Sequence, residues 1–396
     1  MFNSTASKSH LLRAGAVAAC LTLATMSATA LASGRVGQDN LVTDDQAALT
    51  ALGFTAAAHV DPHLINPWGV SFAPTGPFWV SNQGDGTSTL YNGSGEALSL
   101  VVSIPQNATG PGGPTGQVFN ASNSFVLPTG GKGLFFFANL DGTISGWNGA
   151  QGTAAVKVAG GDAPAIYTGL AIGNSGGNDF LYAANHLTGA IDVFNGTFAK
   201  TALAGSFVDP GPNPLNLVPF NVRNIGGHLY VTYAPTEEED EAPLGTGFVS
   251  EFNLDGTFVR RLATGGELIS PWGLEIAPSS LGSFGGALLV GNFSEDEGLI
   301  NAFSLTDGSF LGSLRDANGD EVEIPYLWAL TVGNGGLAGD PDKLYFAAGI
   351  GDEEHGLFGR FTAVPEPAEW AMLLTGFGMV GAAMRRRKMR IAVTHA

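Results

Sequence analysis

The sequence predicts an all-β protein, a six-bladed β-propeller of four-stranded antiparallel blades. Three observations lead there. First, Asn66-Pro67-Trp68-Gly69-Val70 returns as Ser270-Pro271-Trp272-Gly273-Leu274, with Thr168-Gly169-Leu170-Ala171-Ile172 midway. Gln117 to Asn120 and Asn221 to Arg223 fall at the quarters and Tyr326-Leu327-Trp328-Ala329-Leu330 adds a sixth start, so the chain repeats about every 51 residues. Second, each unit alternates short apolar or β-branched runs with Gly, Asn and Asp turns. Third, glycine supplies 58 of 396 residues and no segment of the body holds a 3.6-residue pattern over three turns, which excludes a helical bundle. A double β-sandwich is the alternative, but it does not call for regular spacing.

In chain order, residues 1–32 read as a secretory signal peptide. Lys8, His10 and Arg13 precede an apolar run from Ala14 to Met26, and the small residues from Ala28 to Ala32 suit cleavage after Ala32. The single cysteine, Cys20, lies inside this segment, so the expected mature protein has neither disulfide nor cysteine metal ligand.

Residues 33–364 carry the six units. In the fifth, runs at Trp272 to Ile276, Ala287 to Asn292, Leu299 to Ser304 and Phe310 to Leu314 give the four strands of a blade. Asp255-Gly256, Asp307-Gly308 and Asn195-Gly196 predict type I′ hairpins, in which both central residues take positive φ. The sixth unit shows three strands only, at Trp328 to Val332, Lys343 to Ala347 and Gly356 to Thr362. Its outer strand is expected from the N-terminal stretch, either Leu41 to Thr43 or Leu52 to Ala57, which closes the ring and removes an exposed edge.

Residues 365–390 read Pro365-Glu366-Pro367-Ala368-Glu369-Trp370-Ala371, then an apolar run to Met384, then Arg385-Arg386-Arg387-Lys388. The run is short for a bilayer span and its basic flank sets an outward-facing body, so transient membrane anchoring is expected. This ending closely resembles the PEP-CTERM sorting signal in its Pro-Glu-Pro-x-x-Trp-Ala form. The resemblance implies export through the Sec machinery of a Gram-negative bacterium and recognition by an exosortase, with Pro365, Glu366, Pro367, Trp370, Ala371, Arg385, Arg386 and Arg387 as the signal. Within the body, Asp61-Pro62-His63-Leu64-Ile65-Asn66-Pro67-Trp68-Gly69, Asp141 to Trp147 and Tyr326 to Leu330 resemble a family of uncharacterised exported bacterial proteins with an NHL-like β-propeller. That resemblance implies a fold and a location and no chemistry.

The body holds 10 basic residues against 33 acidic ones, a balance that repels phosphate backbones and excludes nucleic acid as a partner. Asn82, Asn139, Asn185 and Asn292 end the second strand of their units and His186 follows Asn185, so the five are candidates for a ligand at one rim of the channel. The plainer account is that each amide caps the next turn. Asp85, Glu295 and Asp296 lie close by in sequence, and oxygen ligands of this kind suit Ca²⁺. The set is incomplete, since the first strand of the first unit lacks the Glu that lactonase-type propellers generally supply. Asp316-Ala317-Asn318-Gly319-Asp320 lacks the calcium-loop spacing and reads as a turn. His59, His63, His186, His228 and His355 carry no metal spacing, and no catalytic set is complete. Trp68, Trp272 and Trp328 are expected to pack between neighbouring blades. The reading is an exported binding or structural module of the cell envelope or extracellular matrix, with an extracellular polysaccharide or envelope protein as partner. The alternatives are a hydrolase or lactonase that depends on a divalent cation in the channel, and a glycan-binding protein using exposed aromatic rings.

Overall fold

Alternation of apolar and polar residues with frequent turns leaves each segment able to pair only with its sequence neighbour, and the sheets follow that rule. A computed structural model describes residues 34–106, 112–237, 239–296 and 298–364, with Met379 beyond them. Five antiparallel four-stranded sheets follow one another in chain order, and a sixth joins the two ends of the described body, antiparallel but for one short parallel pair at its edge. Blade one comprises β3 (Pro67–Ser71), β4 (Phe78–Asn82), β5 (Thr87–Tyr91) and β6 (Ala97–Ser103). Blade two comprises β7 (Pro114–Phe119), β8 (Phe135–Asn139), β9 (Thr143–Trp147) and β10 (Val156–Gly160), and blade three β11 (Tyr167–Ser175), β12 (Asn178–Asn185), β13 (Ala190–Asn195) and β14 (Lys200–Thr201). Blade four comprises β15 (Val218–Ile225), β16 (His228–Ala234), β17 (Phe248–Asn253) and β18 (Phe258–Thr264), and blade five β19 (Pro271–Ile276), β20 (Leu288–Asn292), β21 (Ile300–Phe303) and β22 (Phe310–Ser313). Blade six has β23 (Leu327–Val332), β24 (Leu344–Ala348) and β25 (Leu357–Ala363) from the C-terminal side, completed by β1 (Val36–Thr43) and the two-residue β2 (His59–Val60).

The expected N-terminal closure is present, and of the two candidates the one containing Leu41 to Thr43 supplies it. β1 runs antiparallel to β25, with Gly37 opposite Thr362 and Thr43 opposite Leu357. Leu52 to Ala57 is not a strand. It follows a short helix, α1 (Gln46–Ala51), whose first N–H groups are capped by Asp45, and Phe54 and Ala57 pack against the core. The six-residue helix is too brief to leave a periodic signal.

The hairpins at Asp255, Asp307 and Asn195 correct the type I′ expectation. Positive φ occurs at Gly256 (83°), Gly308 (74°) and Phe198 (65°), but not at Asp255, Asp307 or Asn195. Each acid or amide instead accepts the N–H two residues on, from Thr257, Ser309 and Thr197 respectively. The short side chain thus closes the turn without a left-handed backbone of its own. Asp316 behaves alike, taking the N–H groups of Asn318, Gly319 and Asp320, so that loop is the turn its spacing indicated.

The first strand of each blade lines the axis, and neighbouring first strands touch around the ring. Their approach is backbone to backbone. A Cβ on Gly69 would sit 2.5 Å from the Thr115 carbonyl oxygen, and one on Gly116 2.4 Å from the Leu170 nitrogen. Asn221 and Ala329 take the equivalent places in blades four and six; Asn221 turns its amide to the Trp272 carbonyl at 2.8 Å. Between blades the core is aromatic and aliphatic. Trp79, for example, stacks on Phe135 at 4.1 Å and meets Trp147 at 4.8 Å. No helix among the described residues is long and apolar enough to cross a membrane. The segments expected to be a signal peptide (1–32) and a sorting signal (365–390) lie outside the described residues, Met379 apart.

Candidate functional site

Strand direction gives the ring two unlike faces. Second strands run antiparallel to first strands, so Pro67 pairs with Asn82, Pro114 with Asn139, Tyr167 with Asn185 and Pro271 with Asn292. The face where first strands begin, here called proximal, therefore also carries the loops joining second to third strands. The four asparagines lie on it, with Tyr233 and Ala348 at the matching positions of blades four and six.

All four amides are buried. Each is used within its own blade. Asn82 Nδ2 donates to Thr87 and Thr89, Asn139 Nδ2 to Thr143 and Ser145, Asn185 Nδ2 to Asp192, and Asn292 Nδ2 to the Glu267 carbonyl. Asn185 and Asn292 also accept N–H groups from Ile166 and Ile269, which fixes the start of the neighbouring strand. The oxygens of Asn82 and Asn139 have no partner. None of the four lines the axial cavity described below.

His186 is 5% exposed and sits between two oxygens: Nδ1 lies 3.0 Å from the Pro219 carbonyl and Nε2 3.0 Å from Glu239 Oε1. It thereby ties blade three to the long loop of blade four. Two further histidines on this face pair in the same way, His63 with Asp85 and His355 with Asp44, each at 2.8 Å.

The axis at the proximal face is filled by aromatic rings, which corrects the expectation for the repeated tryptophans. Trp68 and Trp328 stack with centroids 3.5 Å apart, Phe293 stacks on Trp328 at 3.9 Å, and Trp272 meets Trp68 and Trp328 edge-on at 6.2 and 5.7 Å. Blades one and five are not neighbours, so the three indoles meet across the axis instead of filling a gap between adjacent sheets. Trp272 Nε1 donates to the Thr168 carbonyl of blade three, and Trp328 Nε1 to Asn66 Oδ1. All five described tryptophans are at most 7% exposed, so none offers a free face for stacking on a sugar.

Around this plug stands a rim of carboxylates from the loops of blades four, five and six: Glu239, Asp240 and Glu241, then Glu295 and Asp296, then Asp352 and Glu353. Burial pushes the Glu353 carboxyl up, and Asp240 and Glu239 push it further, against a 2.8 Å hydrogen bond from Asn66. Glu295 is also raised, by desolvation and then by Asp296, Asp352, Glu241 and Asp240. Burial raises the Tyr326 hydroxyl, which donates to Asp352 Oδ1 at 2.9 Å. Left-handed backbone concentrates here, at Asn66 (φ 45°), Ser270 (37°), Tyr326 (54°), Asp352 (55°) and Glu353 (61°). Such conformations cost energy in non-glycine residues and persist where the surroundings fix them. Among the described residues no group of three or more His, Cys, Asp or Glu is arranged to hold a metal ion.

Beyond the plug the axis opens again. A cavity of about 430 Å³ runs toward the distal face, where first strands end, with walls from all six blades and Trp272 at its inner end. Its one charged lining residue is Arg223. The guanidinium donates to the carbonyls of Leu274 and Leu330 and to Glu275 Oε2 at 2.6 Å. Composition hides this site: Arg223 and Glu275 are single charges in apolar strands. Register could have shown them, since counting two residues on from Gly69, Gly116, Gly169, Asn221, Gly273 and Ala329 brings both to one level of the ring.

In an alignment of 327 positions that covers 76% of this chain and 76% of the relative, the chain is 32% identical to uncharacterized protein R648 of Acanthamoeba polyphaga mimivirus. With L690 of the same virus, also described as uncharacterized, it shares 33% identity over 330 residues, covering 76% of this chain and 81% of that one. The chain belongs to their family. No family model matches it. Among solved structures, this chain is distantly similar to a protein of unknown function from Bacteroides thetaiotaomicron (13% identity, TM-score 0.45, 75% of this chain and 69% of that one). Virginiamycin B lyase from Staphylococcus aureus is similarly distant (9% identity, TM-score 0.44, 75% and 95%).

Proposed function

We propose that the chain is an exported β-propeller that acts as a binding module of the cell envelope or extracellular matrix, carried across the membrane by the Sec machinery and sorted by an exosortase. The structural observation that carries the binding reading is the stack of Trp68, Trp328 and Phe293 on the axis, which separates the acidic rim, where a hydrolase would hold its cation, from the axial cavity that has room for a substrate. Export is supported by the order of sequence signals: a leader at the start, Pro365-Glu366-Pro367 with Trp370-Ala371, an apolar run and then Arg385 to Arg387 at the end. An acidic body with few lysines and arginines suits solubility outside the cell.

A divalent-cation-dependent lactonase has less support, because the rim carboxylates do not converge in a metal-holding group among the described residues. The experiment is expression of the full chain, tagged just after residue 33, in a host with and without its exosortase. A tagged chain at the surface or in the medium, shortened at the C-terminus only when the exosortase is present, is the expected result. A full-length cytosolic chain in both hosts overturns the reading. Stoichiometric calcium together with turnover of a lactone would replace the binding module by the hydrolase.

A further inference from the structure

We infer that the distal half of the axial channel is a binding site for one neutral sugar unit, the end of a polysaccharide chain. The polysaccharide as source rests on the proposed export; the site itself rests on the geometry. The cavity's volume of about 430 Å³ falls within the range of about 300–1,000 Å³ usual for small-ligand sites. Because Trp272 and its partners close the inner end, the channel cannot be threaded, so it admits a free small molecule or a chain terminus and excludes the middle of a polymer.

The lining selects for charge and shape. Arg223 is held at three points, by Leu274, Leu330 and Glu275, so its guanidinium is already oriented and little is lost on engaging a ligand. Glu275 cancels its charge, and the acidic body adds no attraction for an anion. What the site offers is a fixed donor for hydroxyl oxygens, together with the second N–H of the Asn224 amide and the unpartnered Oε1 of Gln117, whose Nε2 is held by the Gly69 and Trp79 carbonyls. Phe72 and Phe119, half-buried at the outer end of the first strands, supply apolar ring faces. A pyranose presents hydroxyls around its edge and C–H groups on its face, and so matches all three.

The test uses the purified full-length chain and three neutral probes, glucose, galactose and N-acetylglucosamine, with galacturonate as the charged counterpart. Saturable binding of a neutral probe is expected by calorimetry and ligand-detected NMR, with a change in tryptophan fluorescence from Trp272. Arg223→Met is expected to weaken binding about tenfold, the loss of roughly one charged hydrogen bond. Since Arg223 also holds three strands, Ser71→Phe serves as the second variant: it fills the cavity wall at a hydroxyl that has no hydrogen-bond partner. Binding abolished in a Ser71→Phe protein that still folds supports the site. No saturable binding of any neutral probe, unchanged binding in Ser71→Phe, or tighter binding of galacturonate overturns it. A chain that binds sugar but stays in the cytosol would sink the proposed export and leave the site standing, and an exported chain that binds none would do the reverse.

Discussion

The indole of Trp328 lies flat against that of Trp68, centroids 3.5 Å and planes 20° apart, although 260 positions separate them in the chain. Trp328 is 1% exposed and also stacks on Phe293, so it is the central element of the plug. Trp328→Ala should cost about 3–5 kcal/mol, the range for emptying a large buried aromatic site. Trp328→Phe keeps part of the stack and loses only the bond to Asn66, so it should cost less. Chemical denaturation of both variants checks the order; equal losses would mean that the stack contributes nothing beyond the Asn66 contact.

The ring depends on bare backbone at Gly116. A methyl there would lie 2.4 Å from the Leu170 nitrogen, and neither strand can retreat without disturbing its own ladder. Gly116→Ala should therefore destabilise by about 1–3 kcal/mol or more through overpacking. Gly149→Ala is the control, because nothing lies within 4 Å of its added Cβ. Thermal unfolding of the two proteins side by side decides the matter: a control that falls as far as Gly116→Ala would show the effect to be general loss of glycine.

The blades were legible because their signals are local. Asp255-Gly256 and Asp307-Gly308 mark turns, short apolar runs mark strands, and the recurrence of Pro67-Trp68-Gly69 at Pro271-Trp272-Gly273 marks the period. What the tryptophans do was not legible, since the spacing shows that they share a level of the ring and not which way that level faces. The level itself holds the missing information. Its members are Trp68, Thr115, Thr168, Phe220, Trp272 and Trp328, so four large rings and two small residues crowd one radius. Such bulk fits only if the rings stack through the axis. The asparagines share one face of the ring, but Asn82 and Asn185 bond to side chains of the third strand, Thr87 and Asp192, which single-strand reasoning does not pair with them. The acidic rim was visible only in pieces, because its loops lie far apart in sequence and meet through closure of the ring.

Asp209 anchors the loop before blade four to its outer strand. Its carboxylate accepts from Arg261 Nε at 2.7 Å and from Ser250, and the Arg261 guanidinium lies over the Phe248 ring. Burial pushes the Asp209 carboxyl up, but the bonds from Arg261 and Ser250 outweigh it and hold it below the ordinary range. A depressed carboxyl contributes stability above its unfolded value and loses it as pH falls through the folded value. Asp209→Ala should thus cost about 3–5 kcal/mol at neutral pH, as for a broken buried pair, and progressively less below about pH 4. Unfolding free energies from pH 7 to 2.5 test this; a gap that stays constant over the range would refute the linkage.

Glu353 has the opposite sign. Burial and the facing Asp240 and Glu239 raise its carboxyl, so its contribution is fully present below the unfolded value and is lost as pH rises through the folded one. At neutral pH the ionised group works against the fold, held in a left-handed backbone with φ 61° beside two like charges. Glu353→Gln removes the charge and keeps an oxygen for the Asn66 amide that steadies Trp328. The variant should melt higher than the parent at pH 7, and the two should converge as the solution is brought to about pH 4, where Glu353 itself is protonated. Raised salt should also narrow the difference, since like-charge repulsion at a partly exposed rim is screened. Equal melting temperatures at pH 7, or a gap that widens on acidification, would show that the rim carboxylates do not oppose one another, and the account of the proximal face as a strained, like-charged mouth would fall with them.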